Sequence, residues 1–195
     1  MAGLGDFRRR FGEWAAAARA NPLFRPGMIG AGLVAILDQV SKFVIVDVVN
    51  LPEEFFVRCA KKPAEFCHQI QVSPIFDLTY VENKGASFGM LAGGLVSRVF
   101  LSLLAAAIAV FLTKWLASLH RRVAAAGVAL IIGGAVGNLV DRIRFGHVVD
   151  FLDFSGLYFP WVFNIADAAI NIGIALLALD WFLEHRAAGK AGAER

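Results

Sequence analysis

Two aspartates, Asp150 in HVVDF and Asp167 in FNIADAAINIG, stand seventeen residues apart, each set among apolar neighbours. A carboxylate in such surroundings is costly and asks for a task or a partner. Two carboxyls brought within a few ångströms at a partly buried site cannot both ionise cheaply, so they share a proton and divide into a base and an acid. That pair can drive water onto a peptide carbonyl: the ionised aspartate takes a proton from the water, the protonated one gives its own to the carbonyl oxygen, and the roles then reverse at the leaving nitrogen. Other hydrolytic routes find less support. His68, His120, His147 and His185 form no HExxH, Cys59 and Cys67 form no CxxC, and no serine and histidine lie in a recognisable nucleophile motif. Neither a metal nor a cofactor is expected.

Further polar residues recur at helical intervals. Asn164, Asp167 and Asn171 follow one another at i, i+3 and i+7, a polar stripe on an apolar helix. Hydrogen bonding between helices accounts for the two asparagines but poorly for the acid, since an amide would glue helices at lower cost. In GNLVDRIRFGHVVDF, Asn138, Asp141 and Arg142 share a face, and Arg142 is placed to form a two-pronged pair with a carboxylate. Asp38 and Lys42 lie four apart with the acid first, the favourable order for an ion pair. Such a pair locks a helix in place or serves the site, and spacing does not choose between the two.

These residues must be positioned by elements that sit in lipid. Of the 195 residues 58% are hydrophobic and only 18% charged, well above the apolar content of a soluble domain and incompatible with a disordered chain. Four windows, about 27–49, 92–114, 123–141 and 161–183, are long and apolar enough to span a bilayer. The fold class expected is therefore a membrane all-α bundle of four transmembrane helices, with a small extracytoplasmic β-sheet between spans one and two. Residues 1–26 form a basic segment, 27–183 the four-span domain and 184–195 a tail.

Lysine and arginine set the orientation, because basic residues near span ends stay in the cytoplasm. Eleven of them (five before span one, three between spans two and three, three in the tail) fall on one side, so both termini are expected there. The net charge of +3 does not indicate nucleic acid, since the basic residues cluster between apolar runs and not along one face. In FRRRFGEWAAAARA, Phe7, Phe11, Trp14 and Ala18 recur at helical spacing. A helix lying on the membrane surface and a solvated basic tail both fit that pattern.

The segment 50–91 is too polar to span, and HQIQVSPIFDLTYVE within it alternates in the manner of half-buried strands. Residues 53–69 read as an insertion at its edge, in which Cys59 and Cys67 can close a disulfide in an oxidising compartment.

The blocks DQVSKF, ENKGASFG, GNLVDR, GHVVDF and FNIADAAINIG, in that order and at this spacing, resemble those of the bacterial lipoprotein signal peptidase, or type II signal peptidase, from span one to span four. The resemblance implies an intramembrane aspartyl endopeptidase of the bacterial inner membrane with its active site at the outer face. It would cut prolipoproteins on the N-terminal side of a diacylglyceryl-modified cysteine, with Asp150 and Asp167 as the catalytic pair. It further implies that Asn138, Asp141, Arg142 and Asn164 support the pair or the substrate, that Asn83 and Gly85 line the cleft, and that Asp38 and Lys42 have a structural or supporting part away from the cleavage level. Membrane lipid and globomycin-type inhibitors are implied as further partners, and a monomer is expected. The outer block departs from the family at Lys84 and Ser87, where contacts with peptide or headgroups are expected to differ.

The rival reading is a small four-span transporter or proton relay using Asp38, Lys42 and Asp167 as a charge path. A relay needs polar groups spread through the depth of the bilayer, whereas span three is apolar until its outer end. A third reading, an assembly scaffold, needs neither aspartate.

Overall fold

The structure, a computed structural model, describes residues 2–53, 69–85 and 94–193. The N-terminal segment is helical, α1 (Ala2–Ala20), and it turns at Asn21 into α2 (Phe24–Phe43), which continues as a π-helical turn over Val44–Val48. The strands β1 (Gln69–Ser73) and β2 (Phe76–Asn83) follow, then α3 (Leu95–Leu116), α4 (Arg122–Arg144), β3 (Val148–Asp153), β4 (Val162–Phe163) and α5 (Ile165–Ala193). Among the described residues four stretches are long and apolar enough to cross a membrane: Phe24–Val48, Leu95–Leu116, Arg122–Arg144 and Ile165–Arg186.

The third of these is the central helix. In α4, 61% of the apolar window is buried, against 22%, 11% and 22% for the other three. Its sequence explains this, because glycines and alanines let backbones approach closely without a driving force from water. A Cβ at Gly127 would stand 2.8 Å from the carbonyl oxygen of Gly173 on α5. The outward faces of α2 and α3 carry exposed Leu33, Ile36, Leu37, Leu103 and Phe111, which suit lipid.

The sheet differs from the expectation of a unit confined to the segment between spans one and two. It is four-stranded and antiparallel in the order β1-β2-β3-β4, and its second half comes from the connection between spans three and four. Val148–Asp153 is buried on both faces, so its sequence carries no alternation that marks a strand. The fourth span also starts later than expected. Val162 and Phe163, after Pro160, pair with Asp153 and Leu152 as β4, and the helix begins only at Ile165. The third span runs past Asp141 to Arg144, where Arg98 of α3 donates to the carbonyls of Arg142 (2.7 Å) and Ile143 (2.9 Å) and so caps its end.

Two apolar clusters hold the parts together. One gathers Ala31, Leu112, Leu116, Ala125, Val128 and Ile132 between α2, α3 and α4. The other joins Ile45 and Leu51, at the end of the first span, to Val149 and Phe151 of β3. The expected Cys59–Cys67 pairing lies outside the described residues.

Candidate active site

Asp150 projects from the middle of β3, opposite Val81 of β2, and is 2% exposed. Both of its oxygens accept amide hydrogens. Asn164 Nδ2 donates to Oδ1 at 2.6 Å and Asn83 Nδ2 donates to Oδ2 at 3.0 Å. Burial, and after it the negative charge of Asp167, push the Asp150 carboxyl up to about 7, against the lowering effect of the two amides and of Lys42.

Asp167 sits in the first turn of α5, a favoured place for an acid. Asn164 supplies that helix with its N-cap: its Oδ1 accepts the backbone N–H of Asp167 at 2.8 Å, and its carbonyl accepts that of Ala168 at 3.1 Å. One fully buried asparagine thus caps the helix that carries one aspartate and donates to the carboxyl of the other. Asn138, on α4, completes the frame. Its Nδ2 donates to Asp167 Oδ1 at 2.8 Å, while its Oδ1 accepts from Asn164 Nδ2 at 3.3 Å.

Beneath this frame lies an ion triad. Lys42 Nζ is 2.8 Å from Asp38 Oδ2 and 2.6 Å from Asp141 Oδ2, and the three residues are 2%, 0% and 0% exposed. Each carboxylate also grips a strand or helix of the site. Asp38 Oδ1 accepts the backbone N–H of Ala166 at 2.9 Å, and Asp141 Oδ2 accepts that of Val149 at 3.1 Å. Ala166 immediately precedes Asp167 and Val149 immediately precedes Asp150. Asp38 and Lys42, expected in a structural or supporting part away from the cleavage level, thus lie close to the two aspartates: Asp38 and Asp141 hold the backbone next to them, and Lys42 pairs with both acids. The helices must be close for this, and a Cβ at Gly137 would lie 2.6 Å from Asp38 Oδ2.

Gln39, which spacing did not single out, is part of the same network. Its Nε2 donates to Asp141 Oδ1 (2.8 Å), to the Gly137 carbonyl (3.1 Å) and to Asp38 Oδ2 (3.2 Å). Its position beside Asp38 in DQVSKF was the only available signal. Arg142 departs from expectation: instead of a two-pronged carboxylate pair, its Nη1 donates to the Asn138 carbonyl at 3.3 Å. Its cation still lies within electrostatic reach of Asp167, Asp141 and Asp150.

At the rim, Gly85 fixes the orientation of Asn83. Asn83 Oδ1 accepts the Gly85 N–H at 3.0 Å, which leaves the amide nitrogen aimed at Asp150. Gly85 holds φ at +80°, a left-handed conformation suited to glycine. Asn171 is exposed and donates to the Asp167 carbonyl at 2.9 Å. It joins Asp167 in lining a mainly apolar groove of about 640 Å³ with Phe159, Trp161 and Ile172. Among the described residues no three His, Cys, Asp or Glu side chains converge as a metal-binding set.

A model of the family described as signal peptidase (SPase) II matches residues 30–183. The lipoprotein signal peptidase of Caulobacter vibrioides is 42% identical over 156 residues, 80% of this chain and 85% of that protein. The lipoprotein signal peptidase of Aeromonas hydrophila subsp. hydrophila is 42% identical over 160 residues, 80% of this chain and 87% of that protein. Among solved structures, a bacterial membrane enzyme obtained by the in meso method at 2.3 Å resolution superposes with a TM-score of 0.64 at 26% identity, covering 82% of this chain and 89% of the other.

Proposed function

We propose that this chain, which belongs to the signal peptidase II family, removes signal peptides from prolipoproteins with Asp150 and Asp167 as its catalytic pair. The observation that carries the assignment is the shared amide frame: Asn164 touches both aspartates, Asn138 ties Asp167 to Asn164, and charge on Asp167 raises the Asp150 carboxyl. Asp150, pushed up to about 7, is the proton donor at neutral pH, and Asp167 is the base.

The reaction is a hydrolysis. Asp167 takes one proton from water as its oxygen bonds to the scissile carbonyl carbon, and Asp150 protonates the carbonyl oxygen. The tetrahedral diol then loses a hydroxyl proton to Asp150, Asp167 gives its proton to the amide nitrogen, and the C–N bond breaks. Asn138, Asn164 and Asn83 orient the two carboxyls; Asp141, Asp38 and Lys42 position their backbones; Arg142 supplies positive charge beside the pair. The apolar groove beside Asp167 suits the hydrophobic part of a diacylglyceryl-modified substrate cut on the N-terminal side of its lipidated cysteine.

The distribution of basic residues supports an orientation with both termini in the cytoplasm and the sheet and active site at the outer face of a bacterial inner membrane. The test is cleavage of a diacylated prolipoprotein in detergent, with and without chelator. Asp150→Asn and Asp167→Asn should each abolish product while the protein is made and purified normally, and chelator should leave the parent enzyme unchanged. Substantial turnover by either variant removes that aspartate from the pair.

A further inference from the structure

The catalytic frame occupies one end of the bundle; the opposite end is built from α1, the end of α3 and the start of α4. The corner between α1 and α2 is latched there. Asn21, 7% exposed, donates from Nδ2 to the carbonyls of Ala117 (2.9 Å) and Leu119 (2.8 Å), and its Oδ1 accepts the Leu23 N–H at 2.8 Å. The helix that precedes it is thereby fixed to the bundle, yet it presents an apolar row to the outside. Phe7 is 66% and Phe11 56% exposed, their rings lie 6.4 Å apart, and the row continues through Trp14, 5.6 Å from Phe11, to Phe24 on the first span, 6.1 Å away.

A row of exposed aromatics that leads directly onto a lipid-facing helix belongs at the same interface as that helix. Its charges identify the interface. Arg8, Arg9, Arg10 and Arg19 flank or oppose the aromatic row at helical spacing, against only Asp6 and Glu13 on the same helix. A crevice of about 460 Å³ beside it lies between Trp14, Asn21, Lys114 and His120, and one of about 320 Å³ lies between Gly27 and Gly30 of α2 and Ala125 and Arg122 of α4. Trp14 Nε1 is buried and has no hydrogen-bond partner among the described residues.

We propose that α1 is an interfacial helix that seats this end of the bundle in an anionic phospholipid surface, with Phe7 and Phe11 among the acyl chains and the arginines on headgroup phosphates. This assignment does not depend on the identity of the catalytic pair. It accounts for a segment, residues 1–26, all of which lies outside the family match over residues 30–183.

The full-length protein with Cys59→Ser and Cys67→Ser, spin-labelled in turn at Phe7→Cys, Arg9→Cys and Phe11→Cys, is reconstituted in nanodiscs of phosphatidylcholine with one quarter phosphatidylglycerol. Collision with oxygen should dominate at positions 7 and 11, and collision with a water-soluble nickel chelate at position 9. Removing phosphatidylglycerol, or introducing Arg8→Gln and Arg10→Gln, should shift positions 7 and 11 toward water, by about fivefold in partitioning for each arginine lost. Phe7→Ser with Phe11→Ser should lose the docking while cleaving a detergent-presented substrate at the parent rate, which shows the bundle intact. Water exposure of positions 7 and 11 in the anionic discs overturns the proposal, as would equal burial in discs of phosphatidylcholine alone.

Discussion

Lys42→Met removes the cation that pairs with two fully buried carboxylates. Methionine matches the length of the lysine stem, so the change isolates charge and hydrogen bonding from volume. Breaking a buried ion pair by deleting one partner costs about 3–5 kcal/mol. For a chain of this size that corresponds to roughly 10 °C in the unfolding midpoint. The consequence for catalysis is separate from that for stability. Asp38 and Asp141 hold the N–H groups of Ala166 and Val149, the residues just before Asp167 and Asp150. If the carboxylates turn away from each other, both aspartates move with their backbones, and a displacement of about 1 Å at reacting groups lowers the rate on the order of 100-fold. The assay is steady-state cleavage of a diacylated prolipoprotein well below the lowered midpoint, together with a thermal scan in the same detergent. The expected result is a kcat about two orders of magnitude lower with KM nearly unchanged, because substrate rests on other surfaces. A variant that loses midpoint but keeps kcat would refute the positioning argument and leave the triad a purely structural lock.

Two further outcomes follow from the same geometry. With the Asp150 carboxyl at about 7 and its protonated form required as donor, kcat/KM should fall about tenfold per pH unit above neutrality; a flat profile to pH 9 would exclude this assignment. The sign for stability agrees: a carboxyl raised in the folded state contributes fully below its unfolded value near 4 and loses that contribution as pH rises through about 7, so the enzyme should also be less stable on the alkaline side. At the rim, Gly85→Ala must accommodate φ +80° and a Cβ 2.5 Å from Leu101 Cδ1. It should lower kcat about tenfold, as should Asn83→Ala, and the double variant should be scarcely worse than either, because both act through one amide; additive losses would separate their roles.

Apolar length made the spans readable, and helical spacing placed Asp38 with Lys42, which pair at 2.8 Å, and Asn138 with Asp141 on shared helix faces. What the sequence withheld were contacts made between elements. Lys42 reaching Asp141 joins residues 99 positions apart, and no local period encodes that. The strand carrying Asp150 was hidden because burial on both faces erases alternation, and Val162–Phe163 was absorbed into the following span because two apolar residues beside a long apolar helix leave no boundary until Asn164 caps it. Arg142 illustrates the opposite error: a guanidinium near several carboxylates was expected to pair with one, but the Asn138 carbonyl takes its Nη1, and it acts on the site at longer range.

The placement of the ionisable groups also decides between peptidase and relay. A charge path across the bilayer needs polar side chains at successive depths. Asp38, Lys42, Asp141, Asn138, Asn164, Asp150 and Asp167 form one connected cluster at the sheet end of the bundle. Asp180 stands at the other end, paired with Arg121 at 3.1 Å. Between them α2, α3 and α4 close on Ala31, Leu112, Val128 and Ile132, a core without a titratable group. Among the described residues, this core joins neither Lys42 nor Asp167 to Asp180. Asp38 and Asp141 instead hold the backbone N–H groups of Ala166 and Val149, next to Asp167 and Asp150, and Lys42 pairs with both acids, an arrangement that suits the proposed pair of carboxyls held in fixed register.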